Sequence, residues 1–572
     1  MLTRRSAILP ALLLSMLLLS GCGGASDMPA VTTASPETTA APVEPATIKL
    51  AANGKANFAI VRPDSATDEE VATATNIITI TEGAVGATPE IGTDWAIPKG
   101  KHVAADFEIL VGHTAAEESQ AVYRELPYGS YTVRVVGDKL VVAAWSDDGY
   151  LKARNLVYRL INNSSADGVC AIPADYSETK TLSKTLDSVP AFDGLVSQLV
   201  DLGDESNMLY IQNAAPEQFE AYCAQLTAAG YTLYAEHEAA DNGFATFRGD
   251  HTLHVYYTKY AKEMRIIVDP ADAALPTRAD AVGEFKEITT QQVVMIGLNY
   301  TGTDQASNGL CMAFVLPNGK FILVDGGFTV SETDYLYNRL KALAPDPSNI
   351  VIAGWFLTHA HSDHTPAFND FVTRHHDDVT IEQVILNFAT EDQYDLKETG
   401  TTETKVRDIL AILDNTQIIK AHTGQVFHYP GASVEMLFTF DDYRPKALPY
   451  VNATSLVFRV SLGGQTTMVL GDASEHITPM ICKMYGAYLK SDIVQVSHHG
   501  YDGGTTELYN RIGAHTALWP SGQTVYEKQN YRECNQTLIR ISRDLYIARN
   551  DVIGLSLPYT PVGNNIGYVE QK

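Results

Sequence analysis

From about residue 290 onward the chain alternates short apolar runs with stretches of helical periodicity. Val293 to Leu298, Cys311 to Leu316 and Lys320 to Val324 read as strands, the last two joined by the turn Pro317-Asn318-Gly319. Ser331-x-x-Asp334 starts a helix with Leu336, Leu340 and Leu343 on one face. Val351 to Leu357 is an unbroken apolar run with β-branched and aromatic members, which suits a strand covered on both faces. Pro366 stands where the next helix begins, with Phe368, Phe371 and Val372 turned inward. Thr466 to Leu470 is a further strand, ahead of a helical stretch that includes Met480, Ile481 and Met484.

The N-terminal half has its own pattern. Asn57 to Val61 and Phe107 to Val111 read as strands, and Thr67-x-x-Glu70 opens a helix carrying Val71, Ala74 and Ile78. Tyr131 to Val136 and Lys139 to Ala144 flank Gly137-Asp138 as a hairpin, and a helix from about Gly149 to Ile161 closes this unit, assigned to 48–187. A second small unit, 197–270, has a strand at Met208 to Ile211 and a helix from Pro216 to Ala229. A meander follows at Phe244 to Arg248, Leu253 to Tyr257 and Met264 to Val268. Its tyrosines, Tyr231, Tyr234, Tyr256, Tyr257 and Tyr260, are good strand formers, and the alternative is a carbohydrate-facing surface. Ala271 to Gly283 reads as a linker to a third domain, 285–572.

Length agrees with this division, since 572 residues exceed what one core serves. The net charge of −27 argues against a binder of nucleic-acid backbone, because such binding needs Lys and Arg to neutralise phosphates. At the N-terminus, Arg4 and Arg5 precede an apolar run from Ile8 to Leu19 that is too short for a standard membrane span. Leu19-Ser20-Gly21-Cys22 resembles the lipobox of bacterial lipoproteins, which implies cleavage before Cys22 and lipidation of its thiol. The expected location is the outer face of the cytoplasmic membrane, reached through residues 23–47, an Ala/Thr/Pro/Ser tether too poor in large apolar groups to fold. The other five cysteines are odd in number and widely spaced, so buried free thiols are expected.

Chemistry concentrates after the run Val351 to Leu357. His359, His361, Asp363 and His364 fall within six residues at the end of a buried strand, where burial is costly unless something pairs with them. A metal pairs with all four, and mixed imidazole and carboxylate donors suit zinc, with iron or manganese as second choices.

The run H-x-H-x-D-H after a hydrophobic strand resembles the metal-binding signature of metallo-β-lactamase-fold hydrolases. FILVDGG supplies an earlier Asp325, TTMVLGDAS a later Asp472, and DIVQVSHHG the pair His498 and His499. The resemblance implies an αββα sandwich from about Thr289 to the C-terminus, so that the fold class is α/β with two small α/β (α+β) domains ahead of it. It also implies that His359 and His361 hold one metal and Asp363 with His364 the other. Asp472 bridges, and one of His498 and His499 completes the second set; the sequence leaves open which. Asp325 would fix a ligand imidazole from behind, and a hydroxide between the metals would be the nucleophile. The family's further histidine for the first metal has no counterpart in a convincing context. His422 and His428 flank a loop-like stretch, and Asn452 stands at about the expected distance, as in the hydrolase domain of competence-type DNA-uptake proteins, which the run N-x-x-S-L-V, GDA, HHG resembles most. A single-metal resting state therefore stays open. The first small unit resembles the domain ahead of the catalytic domain in α-glucuronidases, which implies an accessory role.

The expected function is metal-dependent hydrolysis of a phosphodiester or related ester outside the cytoplasm, the substrate being unidentified and a cell-surface polymer among the choices. The alternative is a surface protein that binds carbohydrate or cell wall and keeps a degenerate metal site.

Overall fold

The computed structural model describes residues 46–181, 188–298, 309–328, 333–394, 401–548 and 552–565. The signal segment, Cys22 and the tether up to residue 45 lie outside these, as does Ser331. Thr47, the last residue assigned to the tether, already belongs to the strand Thr47–Ala52.

The first unit carries a six-stranded sheet in the order Ser177–Thr181, Ser130–Val136, Lys139–Ala144, Glu108–Val111, Ala59–Arg62, Glu90–Thr93, with a smaller four-stranded sheet beside it. The helix Asp68–Val85 starts as its sequence requires: Thr67 Oγ1 accepts from Glu70 N–H at 3.2 Å and Glu70 Oε2 accepts from Thr67 N–H at 2.8 Å. Glu90–Thr93 was not expected, because a short, largely exposed edge strand has no alternating pattern to reveal it.

The second unit is a six-stranded antiparallel sheet, Gln198–Gly203, Ser206–Ile211, Glu263–Asp269, Thr252–Thr258, Asn242–Arg248, Thr232–Ala239, with the helix Pro216–Ala228 on one face. The strand Thr232–Ala239 escaped the sequence reading, since Glu236, His237 and Glu238 break its apolar alternation. Tyr231, Tyr256 and Tyr257 are buried, Tyr256 donates its hydroxyl to Asp442 at 2.9 Å, and Tyr234 donates to Pro276 O. Of the five tyrosines only Tyr260 is exposed, so these side chains do not form a carbohydrate-facing surface.

Residues from 292 on fold as two packed sheets between helices. One sheet runs Gln417–Lys420, Gln383–Leu386, Ile350–Phe356, Phe321–Val324, Met312–Val315, Gln292–Ile296, Val552–Ser556. The other runs Val426–Tyr429, Ala432–Phe438, Val457–Leu462, Gln465–Val469, Ile493–Gln495, Thr516–Trp519, Asp544–Ile547. The strand Ile350–Phe356 shows why four layers result. Ala353 and Phe356 join Phe427, Phe458 and Val469 between the sheets, while Ile352 and Trp355 face the helix side with Phe368 and Phe371. The five cysteines from Cys170 onward are free thiols.

The helical face of this sandwich is shared. Val200, Leu202, Met208, Tyr210, Phe244 and Tyr256 of the second unit belong to the same apolar cluster as Phe388, Leu437, Phe438 and Phe440. A buried polar knot ties the same boundary: His422 Nδ1 lies 2.7 Å from Asp441 Oδ2 and its Nε2 2.8 Å from Asp269 Oδ2. Burial alone would depress His422, but Asp269 and Asp441 raise it to about 9. Its folded value is thus above the unfolded value of about 6.5, so its contribution to stability is complete below that value and fades as pH rises through about 9. His422→Gln should accordingly lower the melting temperature, on the scale of about 3–5 kcal/mol for a broken buried pair. The gap from wild type should narrow between pH 6 and pH 10 in a thermal melt series.

Candidate metal centre

The candidate residues converge because each leaves a strand at its carboxyl end. Asp325 follows Phe321–Val324, His359 to His364 follow Ile350–Phe356, Asp472 follows Gln465–Val469, and His498 and His499 follow Ile493–Gln495. Two glycines make the approach close enough. A Cβ on Gly326 would stand 2.4 Å from Phe368 N, and one on Gly471, at φ +53°, 2.9 Å from Thr358 Cβ. Three site residues themselves adopt left-handed backbone, Asp325 (φ 53°), His498 (49°) and His499 (51°), a conformation that costs energy outside glycine and must be held by its surroundings.

Two groups of donor atoms result, each within 4.8 Å of one another: His359, His361 and Asp472, and Asp363, His364, Asp472 and His499. Asp472 is common to both. His364 Nε2 is 3.2 Å from His499 Nε2 and 3.2 Å from Asp472 Oδ1, and His359 Nε2 is 3.2 Å from His361 Nδ1. His359, His364, Asp472 and His499 are buried, whereas the side chains of Asp363 and His498 are 21% and 27% exposed, so the cluster opens to solvent on one side.

The far side of each ring fixes its proton. Asp325 Oδ2 accepts from His364 Nδ1 at 2.7 Å and from the Thr358 hydroxyl at 2.8 Å, and Asp325 Oδ1 accepts from Thr358 N–H at 2.7 Å. With its own proton committed to Asp325, the Thr358 oxygen accepts from His359 Nδ1 at 3.0 Å. His499 Nδ1 donates to Pro520 O at 2.9 Å. The Nε2 lone pairs of His359, His364 and His499 therefore all point into the cluster.

That arrangement fits a divalent cation. Two imidazole lone pairs 3.2 Å apart repel unless a proton or a cation lies among them, and neither oxygen of buried Asp472 takes a hydrogen bond of good geometry. Burial depresses His359 and His361 below the usual histidine range. It would do the same to His364 and His499, but Asp472, with Asp325 and Asp363 for His364 and Asp363 for His499, holds both above it. Burial would raise Asp472 and Asp363; neighbouring imidazoles, His364 first, keep both low.

Asp472 and Ser474 do not cap the following helix. It spans Thr478–Tyr485 with Ile477 at the N-cap, and the buried Asp472 carboxylate is turned toward the histidines. His498 Nε2 accepts from Asn452 Nδ2 at 3.1 Å, and Asn452 Oδ1 is buried without a partner. His422 sits in the boundary knot and His428 on the strand Val426–Tyr429, neither with the donor groups.

Thr358 and Gln495 were missed in the sequence. Gln495 accepts from Leu470 N–H at 2.7 Å and donates to Gly471 O at 3.0 Å, stitching the Asp472 loop to the strand before His498. The available signal was a lone amide inside the apolar run DIVQV, where a buried polar group needs partners.

Residues 306–507 match the family model described as the metallo-beta-lactamase superfamily. The C-terminal region is a metallo-β-lactamase fold domain. Among solved structures the chain is similar to the metallo-β-lactamase fold protein YhfI from Bacillus subtilis, at 12% identity over 46% of this chain and 100% of that one, with a TM-score of 0.30. It is similar to Zn(2+)-bound PqqB from Methylobacterium extorquens at 11% identity, over 46% and 100% of the two chains, TM-score 0.29. A further similarity is to CmlA, a diiron β-hydroxylase from Streptomyces venezuelae, at 12% identity over 47% and 55%, TM-score 0.29. At these scores the likeness assigns no residue a role. No curated protein matches the chain.

Proposed function

We propose that the metallo-β-lactamase domain is a metal-dependent hydrolase, that its substrate is a phosphodiester or related ester, and that Cys22 anchors it by lipid to the outer face of the membrane. The observation that carries the hydrolytic reading is the pair of donor groups sharing one buried carboxylate, Asp472. His359, His361 and Asp472 would hold one cation, and Asp363, His364, Asp472 and His499 the other. Bound there, zinc, manganese or iron supplies Lewis acidity and brings the pKa of water to about 7. The chain does the rest. Asp325 and Thr358 hold two imidazoles in one tautomer, Pro520 O holds a third, and the one-sided exposure leaves room for substrate beside Asp363 and His498. A paired site suits displacement at phosphorus, where the attacking and leaving oxygens both carry charge. The anchor rests on the sequence Leu19 to Cys22. The fold alone does not make β-lactams the substrate.

Purified protein should carry between one and two transition-metal ions per chain and turn over bis(p-nitrophenyl) phosphate. Replacing both His359 and His361 with Ala should remove about one ion and lower turnover at least ~10²-fold, a loss of several kcal/mol in transition-state stabilisation. Unchanged metal content in the double variant would place the site elsewhere. Full metal content without turnover on any ester would favour a binding protein over an enzyme.

A further inference from the structure

His498 stands outside both donor groups, yet it is prepared as a ligand in the same way as its neighbours. Its Nδ1 faces Asp502 O at 3.2 Å, and because a carbonyl only accepts, that nitrogen carries the proton. The Nε2 lone pair therefore faces inward, 3.8 Å from Asp472 Oδ2. His359 Nε2 lies at the same 3.8 Å from the same oxygen. His364 and His499 instead stand nearer Asp472 Oδ1, at 3.2 and 3.6 Å. The two carboxylate oxygens thus divide the imidazoles, His359 with His498 and His364 with His499.

The backbone makes that division feasible. Adjacent side chains on a strand point to opposite faces, but His498 and His499 are both left-handed, at φ 49° and 51°, and their ring centroids lie 6.4 Å apart. His498 N–H is tied to Gly471 O at 3.1 Å, beside the residue it would serve. What meets its lone pair is the amide of Asn452, 3.1 Å away and buried, whose own oxygen has no partner.

We propose that both histidines are ligands, one for each cation: His499 completes the group with Asp363 and His364, and His498 completes the group with His359 and His361. Asn452 is a positioning residue that holds the His498 ring by its lone pair when no cation is bound. This rests on the metal-centre reading above and adds to it a fourth donor for the poorer of the two groups.

The test counts metal rather than activity. Full-length wild type, His498→Asn and His499→Asn are stripped with chelator, equilibrated against buffered Zn²⁺ over a range of free concentrations, and assayed for bound zinc. Asn is chosen because it tolerates left-handed backbone and is too short to replace the ring. Wild type should bind two equivalents. Each variant should keep one and bind the second at least ten-fold more weakly, with the metal-free melting temperature of His498→Asn close to wild type; Asn452→Ala should keep both. Two equivalents of unchanged affinity in His498→Asn overturn the assignment and leave the metal centre standing. A wild type that binds none overturns both. If His498→Asn proves unfolded, His498→Gln in the same titration decides, the same loss of one equivalent supporting the assignment.

Discussion

Exchanging Asp472 for Asn should cost on the order of 10³-fold or more in turnover of bis(p-nitrophenyl) phosphate, the rate equivalent of several kcal/mol of lost charge stabilisation. The metal-free protein should keep its fold and melt only modestly below wild type, through the charge that Asp472 shares with His364 and His499. The two halves of this expectation have different origins. Activity falls because both donor groups depend on this carboxylate, and an amide offers one neutral oxygen where two charged ones are needed. The fold is largely kept because neither Asp472 oxygen accepts a well-aligned hydrogen bond and the helix that follows begins only at Thr478, so that no cap is lost and the cost is confined to the charge shared with His364 and His499. Side-chain volume is unchanged, which leaves no cavity. Parallel measurements of turnover, bound metal and melting in chelator separate the two effects. Full activity in Asp472→Asn would remove the bridging role, and a large drop in the metal-free melting temperature would make the residue structural.

Asp325→Asn should behave in the opposite way, losing both metal affinity and stability. The left-handed backbone at Asp325 suits Asn as well as Asp, so no strain is expected from that source. The difficulty is hydrogen. Both carboxylate oxygens accept, from Thr358 N–H on one side and from the Thr358 hydroxyl and His364 Nδ1 on the other, in a fully buried place. An amide must turn its NH₂ toward one of those donors. A buried donor left facing a donor costs about 1–3 kcal/mol, and it weakens the hold on His364 directly and on His359 through the Thr358 hydroxyl. Metal affinity should fall by about 10–100-fold, the usual effect of losing such a supporting partner. Competition with a chromophoric chelator gives the affinity, and melting in chelator gives the stability. A variant that keeps wild-type affinity but melts low would confine Asp325 to the fold.

Much of this was written in the chain. The run Val351 to Leu357 reads as a buried strand because nothing in it is polar, and H-x-H-x-D-H reads as a donor set because so many ligand groups cannot share a buried strand end unaided. The motifs named Asp472 and the His498–His499 pair but not which ring goes where, since that depends on two left-handed residues that carry no glycine to announce them. Thr358 and Gln495 were illegible for a related reason: their importance lies in what their atoms touch, which is distant in sequence. Thr232–Ala239 was lost to its polar residues, one of which, His237, reaches Glu435 of the third domain at 2.8 Å. The carbohydrate surface imagined for the tyrosines failed because the sheet face carrying Tyr256 turns toward the third domain.

That shared face has a consequence for how the protein can be inherited and cut. A metallo-β-lactamase domain that stood alone would present its helical side to water, but here Leu437, Phe438 and Phe440 are fully buried in one cluster with Tyr210, Phe244 and Tyr256. The second unit is therefore not cargo joined by a linker; it is a wall of the metallo-β-lactamase fold domain that happens to be encoded first. A fragment beginning at residue 285 would carry every donor atom of the metal centre and still present an apolar flank to water. A gene that lost the second unit would have to rewrite that flank, and one that lost the first would leave the buried Arg444 without Asp148, its ion-pair partner.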